Sequence, residues 1–108
     1  MSFSIKTEKT EKNIIFYCFG DLDINTSPEF KKTVIDEYNK DQKDLVFNFK
    51  DLEYLDSTGL GVLISVYKNT KENQHTISIR CAKPHVKKLF VITELDRIFK
   101  MEEDYGCN

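Results

Sequence analysis

Apolar and polar residues recur along the chain with two periods, and the two periods predict alternating strands and helices. Short runs rich in β-branched and aromatic residues predict strands over residues 13–19 and 45–49. Apolar residues at every second position predict a strand over 77–81. Shorter apolar stretches predict one strand at Ile5 and another over 98–101.

Apolar residues at helical spacing predict three helices. The first carries Phe30 to Tyr38 on one face and fades near residues 39–41. The second runs over about 60–71, and the third opens at 83–85 with proline at its first position.

Two start positions suit the first helix. Thr26 with Glu29 forms a capping-box pattern, whereas Ser27 before Pro28 forms an N-cap followed by proline at N1. Both alternatives stay open at the level of sequence.

The predicted order is β-β-α-β-α-β-α-β, which indicates an α/β protein in which helices cover a sheet. The charged stretch 6–12 is predicted to be a turn, Gly20-Asp21 to end the second strand, and 50–55 to be a connection. With 108 residues and no linker, residues 1–108 are expected to form one domain. The polar segment 102–108 is expected to be frayed.

Composition narrows the class of protein. The chain is 40% hydrophobic and 31% charged, which excludes a collagenous or mostly disordered protein. The formal net charge of −2 lacks the basic excess typical of nucleic-acid binding. No apolar run approaches the roughly 20 residues of a membrane span, and no leader pattern is present, so a cytoplasmic protein is expected.

The cysteines are few and widely spaced. Cys18, Cys81 and Cys107 include no C-x-x-C pair and have no histidine cluster nearby, so neither a disulfide framework nor a metal site is expected. Cys18 and Cys81 are predicted to be small buried residues in strands. No cofactor-binding motif was found.

The stretch Asp56-Ser57-Thr58-Gly59-Leu60-Gly61 differs from the packing segments around it. Small hydroxyl and carboxyl side chains stand where a helix begins, and two glycines follow within its first turn. Each helical glycine costs about 0.5–1 kcal/mol relative to alanine, which suggests close approach to the backbone. The pattern predicts an exposed hydroxyl in a field that tolerates an anion.

Several alternatives apply to this stretch. Asp56 or Ser57 could be a simple N-cap. A hydrolytic Ser57 lacks the preceding glycine of a nucleophile elbow, and the glycines lack a dinucleotide or phosphate-loop spacing. A phosphorylated Asp56 would suit a response-regulator receiver, with Lys83 after a later strand, but the acidic pair of a receiver is missing.

Two motifs resemble a known family. Gly20-Asp21-Leu22-Asp23 and, after a helix and a strand, Asp56-Ser57-Thr58-Gly59-Leu60-Gly61 are similar to the motifs of bacterial anti-sigma factor antagonists, which are STAS-domain proteins. The resemblance covers nearly the whole chain. It implies a mixed β-sheet covered by helices and no enzymatic activity.

The resemblance also implies roles for residues. Ser57 would accept phosphate from an anti-sigma factor that is an ATP-dependent kinase, and a phosphatase would remove it. Asp23, Asp56, Thr58, Gly59 and Gly61 would contribute to the partner surface, with Thr58 as a possible second acceptor. The unphosphorylated protein, a monomer or weak dimer, would bind the kinase and so free a sigma factor. A scaffold-type STAS protein of a large signalling complex is the alternative within this fold.

Overall fold

The structure is a computed structural model and describes residues 2–103, 106 and 107. Its five strands form one mixed sheet in the order β1-β2-β3-β4-β5, in which β1 is antiparallel to β2 and the other neighbours are parallel. The strands are β1 Phe3–Lys9, β2 Asn13–Leu22, β3 Asp44–Leu55, β4 Ile77–Arg80 and β5 Lys100–Glu102.

Three α-helices connect the parallel strands, as the sequence predicts. They are α1 Ser27–Lys40, α2 Ser57–Glu72 and α3 Pro84–Ile92, and a short 3-10 helix, Leu95–Arg97, precedes β5. All three helices bury residues in the same core cluster, together with one side of the sheet. Crossovers between parallel strands are right-handed as a rule, and in a sheet of sequential order such crossovers all return over the same face.

The core is rich in aromatic side chains. Phe30 from α1 lies against Phe47 from β3 with ring centroids 5.7 Å apart, and Phe47 stacks on Phe16 from β2. Phe90 from α3 meets Phe99 edge to face. The α/β prediction, with helices covering a mixed sheet, is therefore confirmed.

Three strands are longer than predicted. β1 continues to Lys9, so residues 6–9 belong to the sheet. β2 passes through Gly20, which has φ +96° and lies so close to the Ser2 carbonyl oxygen that a Cβ atom would meet it at 2.1 Å. Glycine therefore allows an irregular strand here and does not end it. β3 extends to Leu55 because it continues to pair with β2 across two register shifts.

The first helix begins at Ser27, with Thr26 in the N-cap position. Neither alternative for the start of this helix holds in full: Thr26 takes the N-cap position without a capping hydrogen bond from its side chain, and Ser27 is the first helical residue instead of the N-cap. The start of α3 at Pro84 agrees with the prediction.

The cysteine prediction is wrong at two positions. Cys81 and Cys107 form a disulfide with their Cα atoms 5.2 Å apart, although 26 positions separate them in the sequence. Cys81 lies just after β4 and is buried, and Glu102 in β5 accepts a hydrogen bond from its N–H. The segment that was expected to be frayed is thus held at Glu102 and Cys107; residues 104, 105 and 108 lie outside the described structure.

Cys18 agrees with its prediction. It lies in β2, is 1% exposed and carries a free thiol. Burial raises the pKa of this thiol far above its ordinary value, because the thiolate would be desolvated.

Candidate functional site

The predicted site residues meet at one edge of the sheet. β2 and β3 are parallel neighbours and end together, with Leu22 opposite Leu55. The Asp56 N–H donates to the Leu22 carbonyl oxygen at 3.3 Å, which joins the two chain exits. The loop that begins at Asp23 therefore lies beside the helix that begins at Ser57.

Asp56 caps the helix, and Ser57 is its first residue. Asp56 Oδ1 accepts hydrogen bonds from the N–H groups of Thr58 at 2.9 Å and Gly59 at 3.1 Å. The alternative that assigned the N-cap to Asp56 is thus confirmed, and it leaves the Ser57 side chain exposed to solvent. Thr58 is half-buried, one position deeper in the first turn. Of the two hydroxyl groups in the motif, that of Ser57 is the more accessible.

The two glycines of the motif have different surroundings. Gly59 is buried, and a Cβ atom there would lie 2.5 Å from Leu55 Cδ1 and 3.1 Å from the Leu22 carbonyl oxygen. Gly61 is exposed, and a Cβ atom there would meet no described atom within 4 Å. Gly59 brings α2 close to the two strands, and the space for an approaching molecule is at Gly61.

Asp23 organises the loop between β2 and α1. Its Oδ1 accepts hydrogen bonds from the N–H groups of Asn25 at 2.8 Å and Thr26 at 3.1 Å. Thr26 Oγ1 accepts from the Asp23 N–H at 2.9 Å and donates to the Asp21 carbonyl oxygen at 2.9 Å. Asp23 is half-buried, so its carboxylate holds the loop and is also partly accessible.

Two exposed apolar side chains at this edge were not found by sequence analysis. Ile24 follows Asp23 and is 67% exposed; Tyr54 pairs with Asp21 across β2 and β3 and is 49% exposed. Ile24 lies in a polar loop, and Tyr54 lies in a segment predicted to be a connection. Neither therefore belonged to an apolar pattern that could have identified it.

The start of α3 contacts the end of β3. Lys83 Nζ lies 3.7 Å from a carboxylate oxygen of Glu53, and His85 Nε2 lies 2.5 Å from the Glu53 carbonyl oxygen. The Lys83 ammonium group therefore places a positive charge beside Glu53 at this edge.

The geometry does not support the catalytic alternatives for the motif. The two histidines contact other groups: His75 Nδ1 lies 2.6 Å from the Tyr38 hydroxyl, and His85 contacts Glu53. A receiver domain is doubly wound with strand order 2-1-3-4-5, whereas here β1 is antiparallel and the sheet order is sequential.

The described residues provide neither a metal-binding cluster nor a membrane-spanning helix. They contain no group of three histidine, cysteine or acidic side chains that could hold a metal ion. Within the same residues, no helix has the length and apolar character needed to cross a membrane.

Comparison with known proteins identifies the family. The STAS domain model matches residues 4–106, and the chain belongs to this family. The anti-sigma-B factor antagonist of Staphylococcus aureus is 27% identical over 103 residues, which cover 95% of each chain. The crystal structure of a Thermotoga maritima protein covers 91% of this chain and 85% of its own, with a TM-score of 0.86 and 26% identity.

A third comparison concerns the fold alone. The anti-sigma factor antagonist SpoIIAA in its unphosphorylated form has a TM-score of 0.79 to this chain at 18% identity. The alignment covers 91% of this chain and 87% of SpoIIAA. The arrangement of the sheet and helices is therefore shared by proteins whose sequences have diverged widely.

Proposed function

We propose that this protein is an anti-sigma factor antagonist controlled by phosphorylation of Ser57. The unphosphorylated form binds an anti-sigma factor in the bacterial cytoplasm and so frees a sigma factor. That partner is also the kinase, which transfers the γ-phosphoryl group of ATP to Ser57, and a phosphatase restores the hydroxyl. The protein itself catalyses no reaction in this cycle.

One observation carries this proposal: Ser57 is exposed as the first residue of α2, beside a capping carboxylate that leaves its hydroxyl accessible. A kinase can reach this hydroxyl without unfolding the helix. The relatives named as anti-sigma-B factor antagonists support the partner class.

Phosphorylation at this position would change the partner surface more than the fold. A phosphate adds about −1.5 to −2 charge and three acceptor oxygens. The N-terminal end of α2 favours that charge, so the phosphorylated domain is expected to stay folded. Asp56 Oδ1 already accepts from two N–H groups of the first turn, so the phosphate would project toward a bound partner.

The surface around Ser57 suits a protein partner. Ile24 and Tyr54 present exposed apolar area at the edge of the sheet that carries Ser57, while Asp23 and Asp56 add negative charge. A phosphate inside such an interface would lose its hydration and face groups arranged for a neutral hydroxyl, a mismatch that costs several kcal/mol. Since each 1.4 kcal/mol changes affinity tenfold, binding would be nearly abolished.

Phosphoryl transfer and binding test the proposal together. The protein is incubated with ATP and its cognate anti-sigma factor, and the modified residue is located by mass spectrometry. We expect stoichiometric phosphate on Ser57, no transfer to Ser57→Ala and near-normal transfer to Thr58→Ala. The threonine variant is the matched control, because it removes the adjacent hydroxyl and retains Ser57.

Binding is then measured for the purified phosphoprotein and for Ser57→Ala. The alanine variant should bind the anti-sigma factor as the unmodified protein does, and the phosphoprotein should bind at least a hundredfold more weakly. Equal affinities of the two forms, or normal transfer to Ser57→Ala, would refute the proposal. Sizing chromatography separates it from the scaffold alternative, which predicts a large assembly in place of a monomer or dimer.

A further inference from the structure

The Cys81–Cys107 bridge joins the end of β4 to a residue beyond β5. We propose that these cysteines form a reversible redox site, a dithiol that small disulfide compounds oxidise and thiols reduce. Oxidation ties Cys107 to the end of β4, and reduction releases it. This inference is independent of Ser57 and of the proposed function.

The bridge is accessible to a small thiol. Cys107 is half-buried, and both sulfur-bearing residues line an open cavity of about 360 Å³ beside Lys50, Lys83 and Pro84. Thiol–disulfide exchange requires a thiolate to approach one sulfur atom, and access controls its rate. A bridge sealed inside a core would lack such an entrance.

The bridge can open without loss of the core. Cys81 does not belong to the cluster of buried residues formed by the helices and the sheet. Its position is held independently by the hydrogen bond from its N–H to the Glu102 carbonyl oxygen, at 2.9 Å. The parallel pairing of β4 with β5 adds further hydrogen bonds. The domain should therefore stay folded in both redox states.

Contacts near the bridge keep the two thiols in positions from which the disulfide can form again. Cys81 has φ +63°, a left-handed backbone conformation that residues other than glycine rarely adopt. It lies where β4 turns toward α3. Cys107 Sγ lies 2.9 Å from the Glu103 carbonyl oxygen, to which a reduced thiol would donate. Reduction therefore releases Cys107 and leaves Cys81 in place.

The chemistry balances with oxidised glutathione as the oxidant. The Cys107 thiolate attacks one glutathione sulfur, forms a mixed disulfide and expels one glutathione thiolate. The Cys81 thiolate then attacks Cys107 Sγ, forms the protein disulfide and expels the second glutathione thiolate. The protein pair loses two electrons and two protons, and one molecule of oxidised glutathione gains them and becomes two molecules of reduced glutathione.

Equilibration in glutathione buffers tests the site. The full chain is held in a series of ratios of oxidised to reduced glutathione, free thiols are trapped with iodoacetamide, and mass spectrometry assigns them. We expect Cys81 and Cys107 to change together, with a midpoint inside the series. Cys18 is the internal control: at 1% exposure it should stay unlabelled until the protein is denatured.

Hydrogen exchange then tests release of Cys107. The C-terminal peptide that carries Cys107 should exchange at least tenfold faster in the reduced protein, whereas β2, β3 and β5 should not change. Cys107→Ser should show the fast exchange in every buffer. A bridge that persists in the most reducing buffer, thiols that never pair in the most oxidising one, or identical exchange in both states would overturn the proposal.

Discussion

Gly59 packs directly against Leu22: a Cβ atom on Gly59 would lie 3.1 Å from Leu22 Cγ and 3.1 Å from its carbonyl oxygen. This contact sets the distance between the start of α2 and the end of β2. It therefore positions Ser57, two residues earlier, beside the loop that carries Asp23.

Gly59→Ala is expected to destabilise the domain, because the added methyl group must displace the Leu22 backbone or the Leu55 side chain. Overpacking of this kind costs about 1–3 kcal/mol. Gly61→Ala is the matched control, and it should raise the free energy of unfolding by about 0.5–1 kcal/mol, since its Cβ enters open space in a helix. Urea denaturation measures both changes. Equal effects of the two substitutions would contradict this account of the motif.

Asp56→Ala removes the N-cap of α2 and should lower the free energy of unfolding by about 1 kcal/mol. Asp56→Asn retains an acceptor oxygen for the N–H groups of Thr58 and Gly59, so thermal denaturation should show stability close to that of the native chain. The asparagine variant therefore separates the effect of the Asp56 charge from the effect of helix capping. With the fold intact, we expect it to bind the anti-sigma factor more weakly; unchanged binding would limit the role of Asp56 to capping.

Ile24→Ala should weaken binding of the anti-sigma factor about tenfold or more, because a large exposed side chain beside Ser57 would become buried in the complex. Ile92→Ala is the matched control. Ile92 is 64% exposed, close to the 67% of Ile24, but it lies at the end of α3. Titration calorimetry should show at most a twofold change for the control. A larger loss from Ile92→Ala than from Ile24→Ala would place the partner surface elsewhere.

The raised pKa of Tyr38 predicts that the domain loses stability at alkaline pH. Burial raises its pKa, a hydrogen bond to Asn73 opposes the shift and the negative charge of Asp44 adds to it. The folded pKa thus exceeds the unfolded value of about 10, so the stabilisation is present below pH 10 and is lost as the pH rises through the folded pKa.

Tyr38→Phe tests this dependence. The decline in the free energy of unfolding above pH 10, followed by urea denaturation, should be shallower in the variant. When tyrosine ionisation is followed by absorbance at 295 nm, the variant should lack one tyrosine that ionises above the ordinary tyrosine range. If the tyrosine missing from the variant ionises at about pH 10 in the native chain, the raised pKa of Tyr38 is contradicted.

Much of the architecture is determined locally. The period of two near Ile77 and the helical spacing from Phe30 to Tyr38 predict the element type, because each period places apolar side chains on one face. Proline at the start of α3 acts through its fixed φ angle, and the structure begins that helix at Pro84. The capping role of Asp56 follows from its short acceptor side chain and its place before a helix.

Other features depend on contacts between distant parts of the chain. Gly20 is a strand-breaking signal by itself, yet β2 continues through it because the Ser2 carbonyl oxygen occupies the space of a side chain. The extension of β3 to Leu55 depends on pairing with β2 across irregular register. The local propensity of residues near Gly20 or Leu55 contains no information about these contacts with distant parts of the chain.

The sequence by itself determined the order of strands and helices and the motif that carries Ser57, since each depends on residues a few positions apart, but it left the N-cap open between Asp56 and Ser57. Only the tertiary structure decided that Gly59 is a packing residue, that Ile24 and Tyr54 are exposed at the same edge, and that Cys81 meets Cys107. Proximity across 26 positions is set by the pairing of β4 with β5. No local pattern encodes that distance.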